Sequence, residues 1–207
     1  MLVVEASSSE RARVRCTAFQ GPRRIASGEL ARVARSAKAA ADRNPSSSIL
    51  IFDDETSELI EIDLRGTQAD VVRRLAGHAP DSAPSRSERR RGPGRPRLGV
   101  VAREVTLLPR HWDWLNGQPG GASVALRRLL DEARRANAGA DRKRRSQETA
   151  YRFIYAMAGD RAGFEEATRA LFAADRDRFE INAREWPVDI RNHARILAAG
   201  AFETTEN

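Results

Sequence analysis

The chain has almost no cysteine, almost no lysine and no long hydrophobic run. Cys16 is the only cysteine among 207 residues, which excludes an intrachain disulfide and a cysteine-based zinc cluster. No apolar run approaches the ~18 residues that a membrane-spanning helix needs. The apolar stretch at the start of the sequence is too short for a secretory signal. These absences predict a cytoplasmic protein that does not contact a membrane.

The basic residues are almost all arginine. Of the 36 basic residues, only Lys38 and Lys143 are lysines, and the formal net charge is +7. The planar guanidinium group binds phosphate and guanine in a bidentate manner, although a GC-rich genome also encodes such a composition. The charge is concentrated in residues 86–97 and 134–145, each with a net charge of +5. Such clusters are typical of a protein that binds a polyanion, and also of a solvated linker.

Hydrophobic patterning in the N-terminal third predicts a small domain in which strand, strand and helix occur twice. Strands are expected at 14–19 and 49–54, and each is followed by a turn and a second strand, the later one at 59–64. Helices are expected at 28–41 and after Thr67, which has the spacing of an N-cap in a capping box. This order predicts a ββα pseudo-repeat with an antiparallel sheet.

The fold class that follows is α+β, with a ββαββα-like N-terminal domain, a basic linker, a strand-helix-helix unit and a helical C-terminal region. The C-terminal apolar stripes have helical spacing and predict packing faces, for example at Ala150, Phe153, Ile154 and Met157. The expected boundaries are a flexible N-terminus at 1–12, the small α/β domain at 13–77, a basic Pro/Gly linker arm at 78–98, the strand-helix-helix unit at 99–136, a basic connector at 137–149 and the helical region at 150–202.

Residues 99–136 combine a strand-like stretch, a short helix, a Gly-rich turn and a second helix with an apolar stripe. One strand and two helices cannot bury a core of their own in about 40 residues. The order resembles the ribbon-helix-helix family of DNA-binding proteins, which implies a homodimer with a two-stranded ribbon in the major groove. By that resemblance Arg103 or Thr106 would contact bases, and Ser123 would mark a phosphate-binding helix N-terminus. The face that points to DNA stays open, because one face carries Arg103 and the other carries Glu104 and Thr106.

Basic stretches flank this unit on both sides. The sequence PGRPR at 93–97 resembles the AT-hook, whose Arg-Gly-Arg-Pro core lies in a narrow minor groove, but only three of the four core residues match. A hook, a general phosphate-binding arm and a plain linker all stay open. The candidate nucleic-acid-binding residues are Arg89, Arg90, Arg91, Arg95, Arg97, Arg103, Thr106, Ser123, Arg142, Arg144 and Arg145.

Three longer stretches resemble an uncharacterised bacterial family, domain of unknown function 2239. They are TAFQGPRRIASG, LGVVAREVTLLPRHWDWLNGQPGGASVALRRLLDEAR and GFEEATRALFAADRDRFE, and together they span most of the length. The resemblance implies no particular activity.

The sequence contains no motif that indicates catalysis or a bound cofactor. The three histidines have no ligand spacing, and the acidic stretch at 53–58 is expected to be a hairpin turn, since it lacks the rhythm of a calcium loop. A nucleotide-binding glycine loop and a nucleophile elbow are absent. We therefore predict a non-enzymatic, metal-free and cofactor-free homodimer that binds DNA as a regulator or nucleoid-associated protein. The alternative is a protein-interaction module in which the strand-helix-helix unit only dimerises.

Overall fold

The computed structural model describes residues 14–77 and 103–203. The chain divides into two compact units. Unit 1 comprises Met1–Asp81 and Gly139–Asn207, and unit 2 comprises Ser82–Ala138. Strands occur near the N-terminus and helices follow, which confirms the predicted α+β class.

The described residues contain three strands and seven α-helices. The strands are β1 (Arg15–Gln20), β2 (Arg23–Glu29) and β3 (Ile49–Asp53). The helices are α1 (Leu30–Arg43), α2 (Gln68–Gly77), α3 (Pro109–Asn116), α4 (Gly121–Ala158), α5 (Phe164–Ala173), α6 (Arg176–Asn182) and α7 (Val188–Ala198), followed by a 3₁₀ turn at Ala199–Ala201.

The sheet has the strand order β2-β1-β3 and is antiparallel throughout, as predicted. Thr17 in the central strand lies opposite Ser27 on one side and opposite Phe52 on the other. Successive side chains of a strand point to opposite faces, and both faces of β1 are buried. Cys16 therefore packs in a small core with α1, whereas Phe19 packs in the larger core of the C-terminal helices.

Helices α1 and α2 begin close to the predicted positions. The amphipathic pattern of α1 buries Val33, Ala34 and Ala37, since residues three and four apart share a face. The predicted capping box at the start of α2 is confirmed: the Asp70 amide donates to the Thr67 hydroxyl (3.2 Å), and the Thr67 amide donates to the Asp70 carboxylate (2.9 Å).

The predicted strand at 59–64 is wrong beyond its first residue. Leu59 forms an isolated bridge with Phe52, and the Ile60 amide donates to the Ile51 carbonyl (2.8 Å). Ile62 and Leu64 then pack, partly buried, against the small core without backbone pairing. The alternation of apolar and polar residues in 59–64 correctly indicated that one side of this segment is buried. Burial of one side does not require backbone pairing with a neighbouring strand. Residues 53–58 form the predicted hairpin turn, with the Asp53 amide donating to the Glu58 carbonyl (3.0 Å).

The predicted connector at 137–149 is helical, because α4 continues through it without a break. Alanine and arginine have high helix propensity, and the single Gly139 costs only about 1 kcal/mol. Polar contacts along the exposed surface add support, for example between Arg144 and Asp141 (2.6 Å).

One core in unit 1 joins regions that the sequence predicted to be separate. Phe19 and Phe52 of the sheet contact Phe153 of α4, with ring centroids 5.4 and 5.1 Å apart. Residues of the predicted stripe, including Ile154, complete this core with α5, α6 and α7. The sheet and the C-terminal helices therefore bury a common set of side chains.

Candidate nucleic-acid interface

Unit 2 carries the whole net charge of the chain. Ser82–Ala138 contains twelve arginines and five carboxylates, which is +7, and the rest of the sequence has 24 residues of each sign. Clustered positive charge raises the local concentration of a polyanion and its association rate. The described part of this unit is 103–138.

The helix-turn-helix of unit 2 follows from three local sequence features. Pro109 occupies the first turn of α3, where its missing amide hydrogen costs nothing. Gly120 and Gly121 both have positive φ (83° and 75°), a conformation that glycine adopts without strain. They form the turn into α4, so the short first helix and Gly-rich break that were predicted are present.

Little of the apolar surface in residues 103–138 is buried. Leu115 and Ala125 are the buried apolar residues of this range, with 3% and 1% exposed. By contrast, the side chains of Val124, Leu129 and Leu130 are exposed, Leu130 at 60%. Leu129 and Leu130 are neighbours on α4, and exposed large apolar side chains that lie together are typical of an interaction surface.

Residues 103–108 form no strand, and no described strand pairs with them. A strand needs a neighbour to satisfy its backbone groups, and the resemblance to ribbon-helix-helix proteins predicts that this neighbour comes from a second chain. Arg103, Glu104 and Thr106 are all exposed. The carboxylate of Glu104 therefore lies among the predicted base-reading residues.

The start of α4 presents the predicted phosphate-binding position. Ser123 is exposed, and its carbonyl accepts a hydrogen bond from Arg127 Nε (3.0 Å). The Gly121 amide donates to the Gln118 carbonyl (2.9 Å), but the amides of Ala122 and Ser123 have no acceptor among the described residues. Free amides at a helix N-terminus attract anions.

The second basic stretch lies on α4, and its predicted phosphate ligands Arg142, Arg144 and Arg145 belong to unit 1. Arg142 forms an ion pair with Glu203 (3.6 Å), and Arg144 forms one with Asp141 (2.6 Å). Arg145 is exposed and forms no ion pair in the described part of the chain. Two of these three predicted phosphate ligands are thus partly neutralised.

The predicted arm residues lie outside the described residues. They are Arg89, Arg90, Arg91, Arg95 and Arg97. No hydrogen bond or ion pair in the described ranges joins one of the predicted nucleic-acid-binding residues to another. The predicted contacts of the arm stay predictions.

The sequence analysis did not identify an exposed aromatic surface on α4. It also did not predict how deeply His193 is buried. Tyr151 and Tyr155 lie four residues apart on α4, opposite the buried stripe, and this spacing was available as a signal. His193 is 4% exposed, and its Nε2 has no hydrogen-bond partner in the described residues. Burial lowers the pKa of His193 to about 4, while Asp54 opposes and Arg24 reinforces that shift. The neutral imidazole serves as a core residue.

The environment of Cys16 does not favour a reactive thiolate. Burial raises the pKa of the Cys16 thiol to about 12, with Asp54 and Asp53 adding to the shift, so the thiolate that reacts is suppressed. Within 14–77 and 103–203, no group of three or more histidine, cysteine or acidic residues is placed to hold a metal ion.

Comparison with known proteins gives a family but no relative of known activity. None of the helices in the described ranges has the length and apolar character to span a membrane. No curated protein and no solved structure matches the chain. The model of a family described as an uncharacterized protein conserved in bacteria (DUF2239) matches residues 15–198. Since this match covers most of the 207 residues, the chain belongs to the DUF2239 family.

Proposed function

We propose that the chain is a non-enzymatic, cytoplasmic protein that binds DNA as a homodimer through unit 2 and the basic arm that precedes it. One observation carries the proposal: the unit that holds the net charge of the chain also leaves its own apolar side chains exposed. A second copy would cover Leu129 and Leu130, and the clustered arginines would attract phosphate. A regulatory or nucleoid-associated role fits such a protein.

The charge distribution favours phosphate contact over base reading. Arg103 and Arg110 form no ion pair within the described residues, so their charge is available to DNA. Glu104 is adjacent to Arg103 in the sequence, and its carboxylate would repel the phosphate backbone of DNA. We therefore expect binding that depends strongly on salt and weakly on sequence.

Fluorescence anisotropy with a duplex DNA at several salt concentrations tests the proposal. Affinity should fall linearly on a logarithmic scale as salt rises, because bound phosphates release counterions. Replacing the five arm arginines with alanine should weaken binding to every DNA sequence. It should also reduce the slope of log affinity against log salt concentration by about one for each phosphate group that is no longer bound. Absence of binding at low salt would contradict DNA binding.

A matched variant controls for net charge. It removes five exposed arginines of unit 1 and lowers the charge of the chain by the same amount: Arg32, Arg43, Arg161, Arg169 and Arg184. If both variants lose affinity equally, the arm has no specific role. If DNA binding is absent while sedimentation still shows a dimer that Leu130→Glu dissociates, the alternative of a dimerisation module is favoured.

A further inference from the structure

Four aromatic rings form a continuous platform on unit 1, in which three rings are exposed and Phe164 is partly buried against the large core. The platform consists of Tyr151 and Tyr155 on α4 with Phe164 and Phe172 on α5. The ring centroids of Tyr151 lie 6.0 Å from Tyr155 and 5.7 Å from Phe172, and those of Tyr155 and Phe164 are 6.2 Å apart. Tyr155 is 64% exposed and Phe172 is 49% exposed. The platform contains both tyrosines of the chain.

The two helices hold the platform in a fixed geometry. Gln147 of α4 donates from Nε2 to the carbonyls of Leu171 (3.1 Å) and Phe172 (3.2 Å), at the end of α5. Ala167 and Leu171 pack in the core beneath. A binding surface that is already ordered loses little conformational entropy when a partner arrives.

Charges of both signs lie beside the rings on the same face of α4. Arg144, Glu148, Tyr151 and Tyr155 follow one another at spacings of four, three and four residues, which places them on one stripe of the helix. Arg144 is paired with Asp141, whereas Glu148 forms no ion pair in the described residues. The carboxylate disfavours a polyanion here, and the mixed signs suit a surface that meets a copy of itself.

We propose that the platform binds the platform of a second copy, with the two α4 helices antiparallel. The positions of the stripe are symmetric about a point on the helix axis midway between residues 149 and 150. This is because the spacings of four, three and four residues read the same from either end. A twofold axis at that level puts Arg144 of each copy opposite Tyr155 of the other, and Glu148 opposite Tyr151. A guanidinium over a tyrosine ring is attractive, and a tyrosine hydroxyl donates well to a carboxylate.

The size of the platform sets the strength of this contact. Its exposed rings offer on the order of 300 Å² per copy, given the size of aromatic side chains. A standard interface buries about 800 Å² per partner. The association is therefore weak and concentration-dependent. This platform contact goes beyond the proposed function, because it lies in unit 1 and not in unit 2. Of the candidate DNA-binding residues, the contact includes only Arg144.

Analytical ultracentrifugation of the full chain over a concentration range tests the proposal. In a Leu130→Glu background, which removes the proposed unit 2 contact, the chain should still show a monomer–dimer equilibrium. Tyr155→Arg should weaken that equilibrium at least about tenfold, because it puts a second guanidinium opposite Arg144 of the other copy and like charges repel. Ile181→Arg is the matched control, because Ile181 on α6 is 65% exposed and lies outside the platform.

The outcomes separate this inference from the proposed function. A Leu130→Glu chain that stays monomeric at the highest concentration, or an equal effect of Tyr155→Arg and Ile181→Arg, overturns the platform contact. If Tyr155→Arg alone makes the wild-type chain monomeric, the platform contact stands and the unit 2 dimer fails.

The antiparallel pairing has its own test. Arg144→Ala and Tyr155→Ala should each weaken the association constant. The double variant should lose less than the product of the two single losses, because each substitution removes the same contact. Arg144→Ala and Ile181→Ala should combine independently. Full independence of Arg144 and Tyr155 overturns the pairing.

Discussion

At the residue scale, the buried imidazole of His193 joins the sheet to α7. Its ring lies edge-on to Phe153 and Phe19, with centroids 4.6 and 5.4 Å apart. The sequence predicts a surface or packing position for each histidine, and His193 occupies a packing position. Its depth was not predictable, because the aromatic neighbours come from strands and helices far apart in sequence.

The stability of the fold should therefore depend on pH through His193. Its pKa is about 4 in the folded chain against 6.5 for the free side chain, so only the unfolded chain gains a proton as pH first falls. The free energy of unfolding should decrease from about pH 6.5 to about pH 4, by about 3 kcal/mol in all. Urea denaturation at several pH values measures this. His193→Phe should remove most of the dependence, and a variant as pH-sensitive as the wild type would contradict the assignment.

At the element scale, α4 shows where local sequence rules succeed and where they fail. The stripe that includes Phe153 and Ile154 is buried as predicted. The charge of the basic stretch predicts a connector there, which the continuous helix contradicts. Charged side chains also suit the exposed face of a helix, so charge alone could not distinguish a solvated helix from a linker.

Gly139 is the weak point of the long helix. Gly139→Ala should raise the free energy of unfolding by about 1 kcal/mol, because it removes backbone entropy from the unfolded chain. Chemical denaturation followed by circular dichroism measures the change. Gly139→Pro is the opposite control and should lower both helicity and stability, because proline removes a backbone donor. Equal stability of the alanine variant and the wild type would indicate that the helix is not continuous there.

At the scale of the whole molecule, unit 1 depends on contacts between distant parts of the chain. Phe19 and Phe52 pack on Phe153, which lies 134 and 101 residues later in the sequence. Hydrophobic periodicity identified each surface but not which surfaces meet, because periodicity is a local property. For this reason the sequence predicts separate regions where the structure has a core shared by the sheet and the C-terminal helices. The same limit applies to the candidate site. The sequence singled out Arg142 as a candidate residue, but it could not predict the ion pair of Arg142 with the distant Glu203.

The sheet and the C-terminal helices should unfold in one transition. Thiol labelling of Cys16 reports on the sheet, and the fluorescence of Trp186, in a Trp112→Phe/Trp114→Phe background, reports on the helices. Phe153→Leu should lower the free energy of unfolding by about 1–3 kcal/mol on both probes, because it disturbs the shared core. Phe172→Leu, at a half-exposed position, is the control and should have little effect. Two separate transitions would contradict a shared core.

The near absence of lysine has a practical consequence for chemical labelling. Lys38 is 9% exposed and paired with Asp42, and no lysine lies in Ser82–Ala138. Acetylation and other acylating reagents act on amines, so they leave the charge of unit 2 unchanged. A chain immobilised or tagged through its amines therefore keeps every arginine of that unit, and arginine-directed reagents are required to neutralise them.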